Sequence, residues 1–220
     1  MSDQLADVLV HHQIRSSKTD LTGLVWDVRT DEVEYGASIL IRQYLSHRGA
    51  VAVVALDEDD RVLLIRQYRH PIRAREWELP AGILDIANED PVAAARRELL
   101  EETGFAADHW EVLLDFFPTP GGSNEAIRVF LARGLAKAPS DYSPTEEEEN
   151  IELRWASLDD VVDAVLARRT QNGTLAVAVL AAFAARARGW AKPSSVNPPW
   201  ERHPSASSPR EPDLDQIGRA

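Results

Sequence analysis

Apolar positions in the first part of the chain fall in short runs with partial two-residue alternation. The runs "GLVWDVRT" (23–30) and "EVEYGASILIRQYL" (32–45) carry β-branched and aromatic residues in that pattern. They predict short strands separated by a turn at Thr30–Asp31. The next stretch, "AVAVVALDEDDRVLLIRQYR", places two apolar runs around the acidic segment 57–60 and predicts a hairpin. Its first run is nearly all Ala and Val, as expected of a strand buried on both faces. Further along, "WEVLLDFF" and "AIRVFLARGL" predict a strand pair around the loop "PTPGGSNE", and "IELRW" predicts another strand.

Three segments have helical spacing. Asp90 before Pro91 is a good start, because Asp caps free amides and Pro is pre-set for the first helical position. That helix runs to Thr103, and Gly104 can take the left-handed conformation that ends it. A second begins at "SLDDVVDAVLARR", where Ser157 and Asp160 have capping-box spacing with Asp in the place of Glu. A third covers about 174–188 and closes at Gly189. From Ala191 onward the chain has six prolines, several serines and few apolar residues, the composition expected of a tail that is disordered or laid over a partner. These patterns divide the chain into an N-terminal β region (1–47), an α+β domain (48–190) and a Pro-rich tail (191–220).

Composition narrows the function classes. The 24 basic and 36 acidic residues give a net charge of -12, which argues against nucleic acid as a partner. With no cysteine in the chain, thiolate catalysis, disulfides and Cys-based zinc sites are excluded. The first residues lack the pattern of a signal peptide, and the longest apolar run, "LAVAVLAAFAA", is short of the roughly 18 to 20 residues that span a bilayer. These features predict a cytoplasmic protein with no membrane partner. None of the six histidines has metal-ligand spacing, and none is assigned a catalytic role.

The helix 91–103 raises a physical problem. Glu98, Glu101 and Glu102 fall within about 100° of one another on one face. They crowd a helix C-terminus, where each exposed carboxylate costs about 0.3 to 1 kcal/mol. Glu98 and Glu102, as like charges at i,i+4, add roughly 0.2 to 0.5 kcal/mol. A cation must face them. Arg97 can pair with Glu101 or with the preceding loop, and hard divalent cations suit clustered oxygen donors.

The run "RELLEETGF", Arg97 to Phe105, resembles the REUxEExGU half of the Nudix box at every specified position, U being a bulky apolar residue. Upstream the family has five residues between its Gly and Glu, whereas six separate Gly82 from Glu89 here. That leaves two acids, Asp85 and Glu89, as candidates to support Arg97. The cues "QYRH", "WELPAG" and "PGGSNE", with Pro120 fifteen residues beyond Phe105, are similar to the ADP-ribose pyrophosphatase branch.

The resemblance implies an α+β Nudix fold, a mixed β-sheet sandwiched between helices, with an N-terminal antiparallel β-extension used for homodimerisation. It implies Mg²⁺ or Mn²⁺, two or more ions per site, on Glu98, Glu101, Glu102 and the carbonyl of Ala81. Arg97 and Glu101 join the catalytic set with a general base in "TEEEENIELRW", either Glu148 or Glu149. Arg69, Glu78, Pro120, Ser123 and Glu125 are the substrate-binding candidates. Trp26, Tyr35 and Tyr68 are candidates to stack on a base. The implied activity is Mg²⁺-dependent hydrolysis of ADP-ribose to AMP and ribose 5-phosphate. Hydrolysis of another nucleoside diphosphate sugar or a dinucleotide, or non-catalytic binding of ADP-ribose, are the alternatives.

Overall fold

The computed structural model describes residues 5–139, 150–190, 196 and 198–203. They form two units, one of residues 1–47 with 119–124 and the other of 48–118 with 125–220.

The first unit is an antiparallel sheet of β1 (Ile14–Thr22), β2 (Asp27–Tyr35) and β3 (Ser38–Ser46), in that order. The turn predicted at Thr30–Asp31 is not there. Strand β2 runs through both residues, and the reversals lie at Gly23–Trp26 and at Gly36, which has φ +60°. Polar cross-strand bonds explain the difference: the Ser17 hydroxyl donates to the buried Asp31, and the Thr30 hydroxyl to Asp20. β1, "IRSSKTDLT", is exposed throughout and has no apolar alternation by which it could be foreseen.

In the second unit, β4 (Ala50–Ala55) is paired on both sides, parallel to β9 (Ile127–Lys137) and antiparallel to β7 (Ala81–Ile83). With β8 (Phe105–Phe116) against β9 this gives a mixed sheet of order β7-β4-β9-β8. A second sheet has the order β10-β5-β6, from β10 (Glu152–Ser157), β5 (Arg61–Arg69) and β6 (Ala74–Glu78). The predicted β4–β5 hairpin is therefore corrected: the two strands share a turn, with a bond from Asp57 N to Arg61 O, and then enter different sheets. Beyond the single bridge Leu56–Val62 they do not pair.

Alternate residues of β4 face alternate cores. Val51, Val53 and Ala55 pack with Phe130, Trp110 and the helix α1 (Pro91–Thr103), through Ala94, Ala95 and Leu99. Ala52 and Val54 face the other way, onto α2 (Leu158–Leu166) and α3 (Gly173–Ala187). The sheet is thus sandwiched between helices. Both predicted helix caps are present, Asp90 accepting from Val92 N and Ser157 from Asp160 N, and the third helix is capped by Asn172, which accepts from Leu175 N. The run 175–185 belongs to α3 and packs on the sheet, and among the described residues no helix is long and apolar enough to cross a membrane.

Arg128 interrupts the apolar run of β9 and is only 1% exposed. Asp115, opposite it on β8, receives its Nε and Nη2 at 2.8 Å each, and Nη1 donates to Pro198 O at 2.8 Å. The Trp200 ring lies 4.7 Å from this guanidinium, and Arg202 covers Phe117. Residues 198–203 of the tail therefore pack on this chain's own sheet. Burial, aided by Arg128, pulls His203 below the usual imidazole range. Asp115→Ala should leave the guanidinium without its carboxylate. Because Asp115 is 36% exposed, the expected loss is about 2 kcal/mol, below the 3 to 5 kcal/mol of fully buried pairs, and a denaturant melt measures it.

Candidate active site

The C-terminal half of α1 meets the first residues of β7. Two contacts fix this approach. Glu102 Oε2 accepts the amide of Ala81 at 2.9 Å. Glu98 occupies the space where residue 82 would carry a side chain, since a Cβ built there lies 2.1 Å from both Cδ and Oε1 of Glu98. Glycine is required at 82 for room. Two helical positions four apart thus both touch the dipeptide Ala81–Gly82, as i,i+4 neighbours on one face can.

Arg97 organises the rest. Its Nε and Nη2 reach the two oxygens of Glu89 at 3.0 and 3.1 Å. Its Nη1 bridges Glu98 Oε1 at 2.7 Å and Glu101 Oε2 at 3.0 Å. The fork geometry of guanidinium makes this three-way grip possible, where an ammonium would act as a point charge. The Glu89 hydrogen bond, chiefly, and then Glu98 and Glu101 push the Arg97 pKa up, while burial opposes them. Arg97 stays charged. The acid that supports it is Glu89; Asp85 instead offers its backbone carbonyl to Arg48 at 3.2 Å. The loop takes up its length in the turn 86–89, where Glu89 N bonds Ile86 O and Asn88 has φ +62°. Asn tolerates that left-handed conformation better than most residues.

One guanidinium among Glu89, Glu98, Glu101 and Glu102 leaves the cluster negative. Among the described residues no three His, Asp or Glu side chains form a ready-made metal site, and Arg97 Nη1 stands between Glu98 and Glu101. The donor set nevertheless suits a hard divalent ion: carboxylate oxygens from Glu98, Glu101 and Glu102, with the Ala81 backbone beside them. The helix end is closed by Gly104, at φ +71° with its amide on Leu100 O at 2.8 Å.

A second charged group lies three residues before Ala81. The Glu78 side chain is 5% exposed and takes a bidentate bond from Arg69, at 2.9 Å from Nε and 2.7 Å from Nη2. Gln67 Nε2 approaches the same carboxylate at 3.4 Å. Sequence reading named Arg69 and Glu78 separately; the structure shows them as one pair across β5 and β6. Tyr68 packs on His70, Tyr35 on His12, and Trp26 on His47. Pro120 and Ser123 lie in the loop of the first unit, with Ser123 Oγ donating to Leu45 O at 3.1 Å, and Glu125 is half-buried at the start of the return to β9. Glu148 and Glu149 lie outside the described residues.

Sequence reading missed the ion pair Arg128–Asp115. Cross-strand register puts Gly82, Val51, Arg128 and Asp115 in one row, so this pair shares a sheet face with the α1 contact. An arginine inside "AIRVFLA" was the available signal, because a buried charge needs a partner.

Comparison with known proteins gives a consistent outcome. Residues 46–176 match the NUDIX domain. The chain is 38% identical to an ADP-ribose pyrophosphatase of Mycobacterium tuberculosis over 196 residues, 89% of this chain and 94% of that protein. It is 33% identical to a methanol dehydrogenase activator of Bacillus methanolicus over 72% of this chain and 85% of that one. A solved structure described as an ADP compounds hydrolase superposes with a TM-score of 0.69 at 19% identity, covering 84% of this chain and 99% of that chain, and so shares the fold.

Gly82→Ala tests the packing at the α1 contact. The new methyl must displace the end of Glu98, a flexible group, so the fold should survive by circular dichroism. Mn²⁺ affinity measured by titration calorimetry should fall about 10-fold or more, the scale seen when the surroundings of a metal ligand are disturbed.

Proposed function

The chain belongs to the Nudix family of hydrolases, and we propose that it cleaves ADP-ribose to AMP and ribose 5-phosphate with Mg²⁺ or Mn²⁺. Hydrolysis of a nucleoside diphosphate compound is the activity that the family and the pyrophosphatase relatives support. The observation that carries the reading is the intact carboxylate set on α1, held against Ala81–Gly82 with a glycine where Glu98 needs space. The narrower choice of ADP-ribose rests on similarity along nearly the whole chain to a protein of that activity.

In this reading Glu98, Glu101, Glu102 and the Ala81 carbonyl hold two or more ions. Bound divalent ions neutralise pyrophosphate charge and make water a better nucleophile at neutral pH. The chain's own groups then have separable tasks. Arg97 keeps Glu98 and Glu101 at a fixed spacing. Arg69, oriented by Glu78, contacts a phosphate, and Pro120, Ser123 and Glu125 line the ribose end. Glu148 or Glu149 takes a proton from the attacking water while one P–O bond of the pyrophosphate breaks. Retaining four acids against one guanidinium makes sense for a site that binds cations and does not suit a purely structural helix end.

Residues 1–47 are proposed as the homodimerisation region. β1 and β3 carry little buried surface, with Leu21, Ile39 and Ile41 all exposed, as is Tyr35 at the end of β2. A small sheet of that kind needs a hydrophobic face covered for stability. Sedimentation equilibrium should give twice the chain mass, and a monomer at micromolar concentration would remove the proposal.

Activity tests the rest. With Mg²⁺ and a panel of ADP-ribose, ADP-glucose, NAD and GDP-mannose, ADP-ribose should have the highest kcat/KM. Glu102→Gln should abolish most of it; undiminished turnover would sink the metal-site assignment, and binding without turnover of any member would favour a sensor. Of Glu148→Gln and Glu149→Gln, one should lose about 10²-fold or more in kcat, the size expected for a general base.

A further inference from the structure

Consecutive residues of a strand point to opposite faces, so Trp77 and Glu78 on β6 face apart. On the Trp77 side lies a cavity of about 360 Å³, between the β10-β5-β6 sheet, α2 and the turn that follows α2. Its volume is within the roughly 300 to 1,000 Å³ of small-molecule sites. The lining is chemically mixed: Arg154, Asp160 and Arg169 are exposed, Trp77 and Thr170 are half-buried, and the apolar floor of Leu64 and Val161 is buried.

Three observations give this cavity a ligand class. First, Arg154 and Arg169 make no ion pair among the described residues, and Arg154 leans on the Trp77 ring, 5.8 Å from its centre. Arg66, which covers the same ring at 4.8 Å, is by contrast paired with Glu152. Second, Thr170 Oγ1 is buried without a hydrogen-bond partner. Burying an unmet hydroxyl costs free energy, and the cavity beside it is where a partner would sit. Third, the turn that delivers Arg169 and Thr170 is locally demanding: Arg168 has φ +60°, and Arg169 N bonds back to Ala164 O at 2.8 Å.

We propose that this cavity binds a nucleoside monophosphate, at a site separate from the carboxylate cluster and independent of the function assigned there. Arg154 and Arg169 meet the phosphate, a group that guanidinium binds well. The Thr170 hydroxyl donates to a phosphate oxygen. Asp160 accepts from a sugar hydroxyl, and the base lies along Trp77 and the apolar floor. An anion would find a helix C-terminus unfavourable by itself, so the two arginines supply the attraction. Strand β6 joins this cavity to Glu78 on the other face.

Calorimetric titration of the full chain with AMP, in EDTA and in the Glu102→Gln background, tests the proposal without any metal at the carboxylate cluster. Wild-type residues at the cavity should bind AMP, and the double substitution Arg154→Ala/Arg169→Ala should weaken that binding about 10-fold or more, as loss of charged hydrogen bonds does. Thr170→Val should weaken AMP binding while Tm stays level or rises, because the unmet hydroxyl is gone. A merely structural arginine pair would lower Tm and leave AMP affinity alone. The proposal is overturned if the double variant binds AMP as the parent does, or if adenosine or inorganic phosphate alone binds as tightly as AMP.

Discussion

A single guanidinium sets the geometry of the acidic helix end. Arg97 holds Glu89 in the loop, and Glu98 and Glu101 on the helix, so three backbone positions move as one. Without it, like charges at the end of α1 would spread apart into solvent, and the helix dipole would favour their departure. With it, repulsion is contained but not cancelled. The remaining negative charge is the condition under which a divalent ion gains most by arriving.

The same economy of placement runs through the sheet. Gly82 removes a methyl group so that α1 can approach, and the fully buried Arg128 stands in the same cross-strand row with its own carboxylate and aromatic cover. Both features concern charge brought close to backbone. In each, one residue type is demanded by space or by desolvation rather than by a preference for strand or helix.

Much of this was legible in the sequence. The helix 91–103 could be bounded to the residue because Asp90, Pro91 and Gly104 each have a distinct local mechanism, and the three glutamates follow from helical period alone. The 105–116 and 127–137 pair and both later helices were legible for similar reasons. What failed was non-local. β1 is polar throughout, so its place depends on side-chain bonds to β2. The parting of β4 and β5 into two sheets depends on competition from β9 and β10, far along the chain. The partnership of Arg69 with Glu78 needed the β5–β6 register, and the choice of Glu89 over Asp85 needed the turn at Asn88.

The pairing of β4 with β9 also constrains how the molecule comes to exist. Ala50 must wait for Ile127, so the central parallel contact closes only after four intervening strands and α1 have been made. Contacts of such sequence separation slow folding, since loop closure is paid before the contact forms. The β4–β7 ribbon and α1 are complete much earlier on the ribosome. The acidic helix end can therefore find Arg97 and Gly82 while the face of β4 meant for β9 is still open to water. During synthesis that open edge is the segment most in need of protection, and α1 already covers part of the apolar surface beside it.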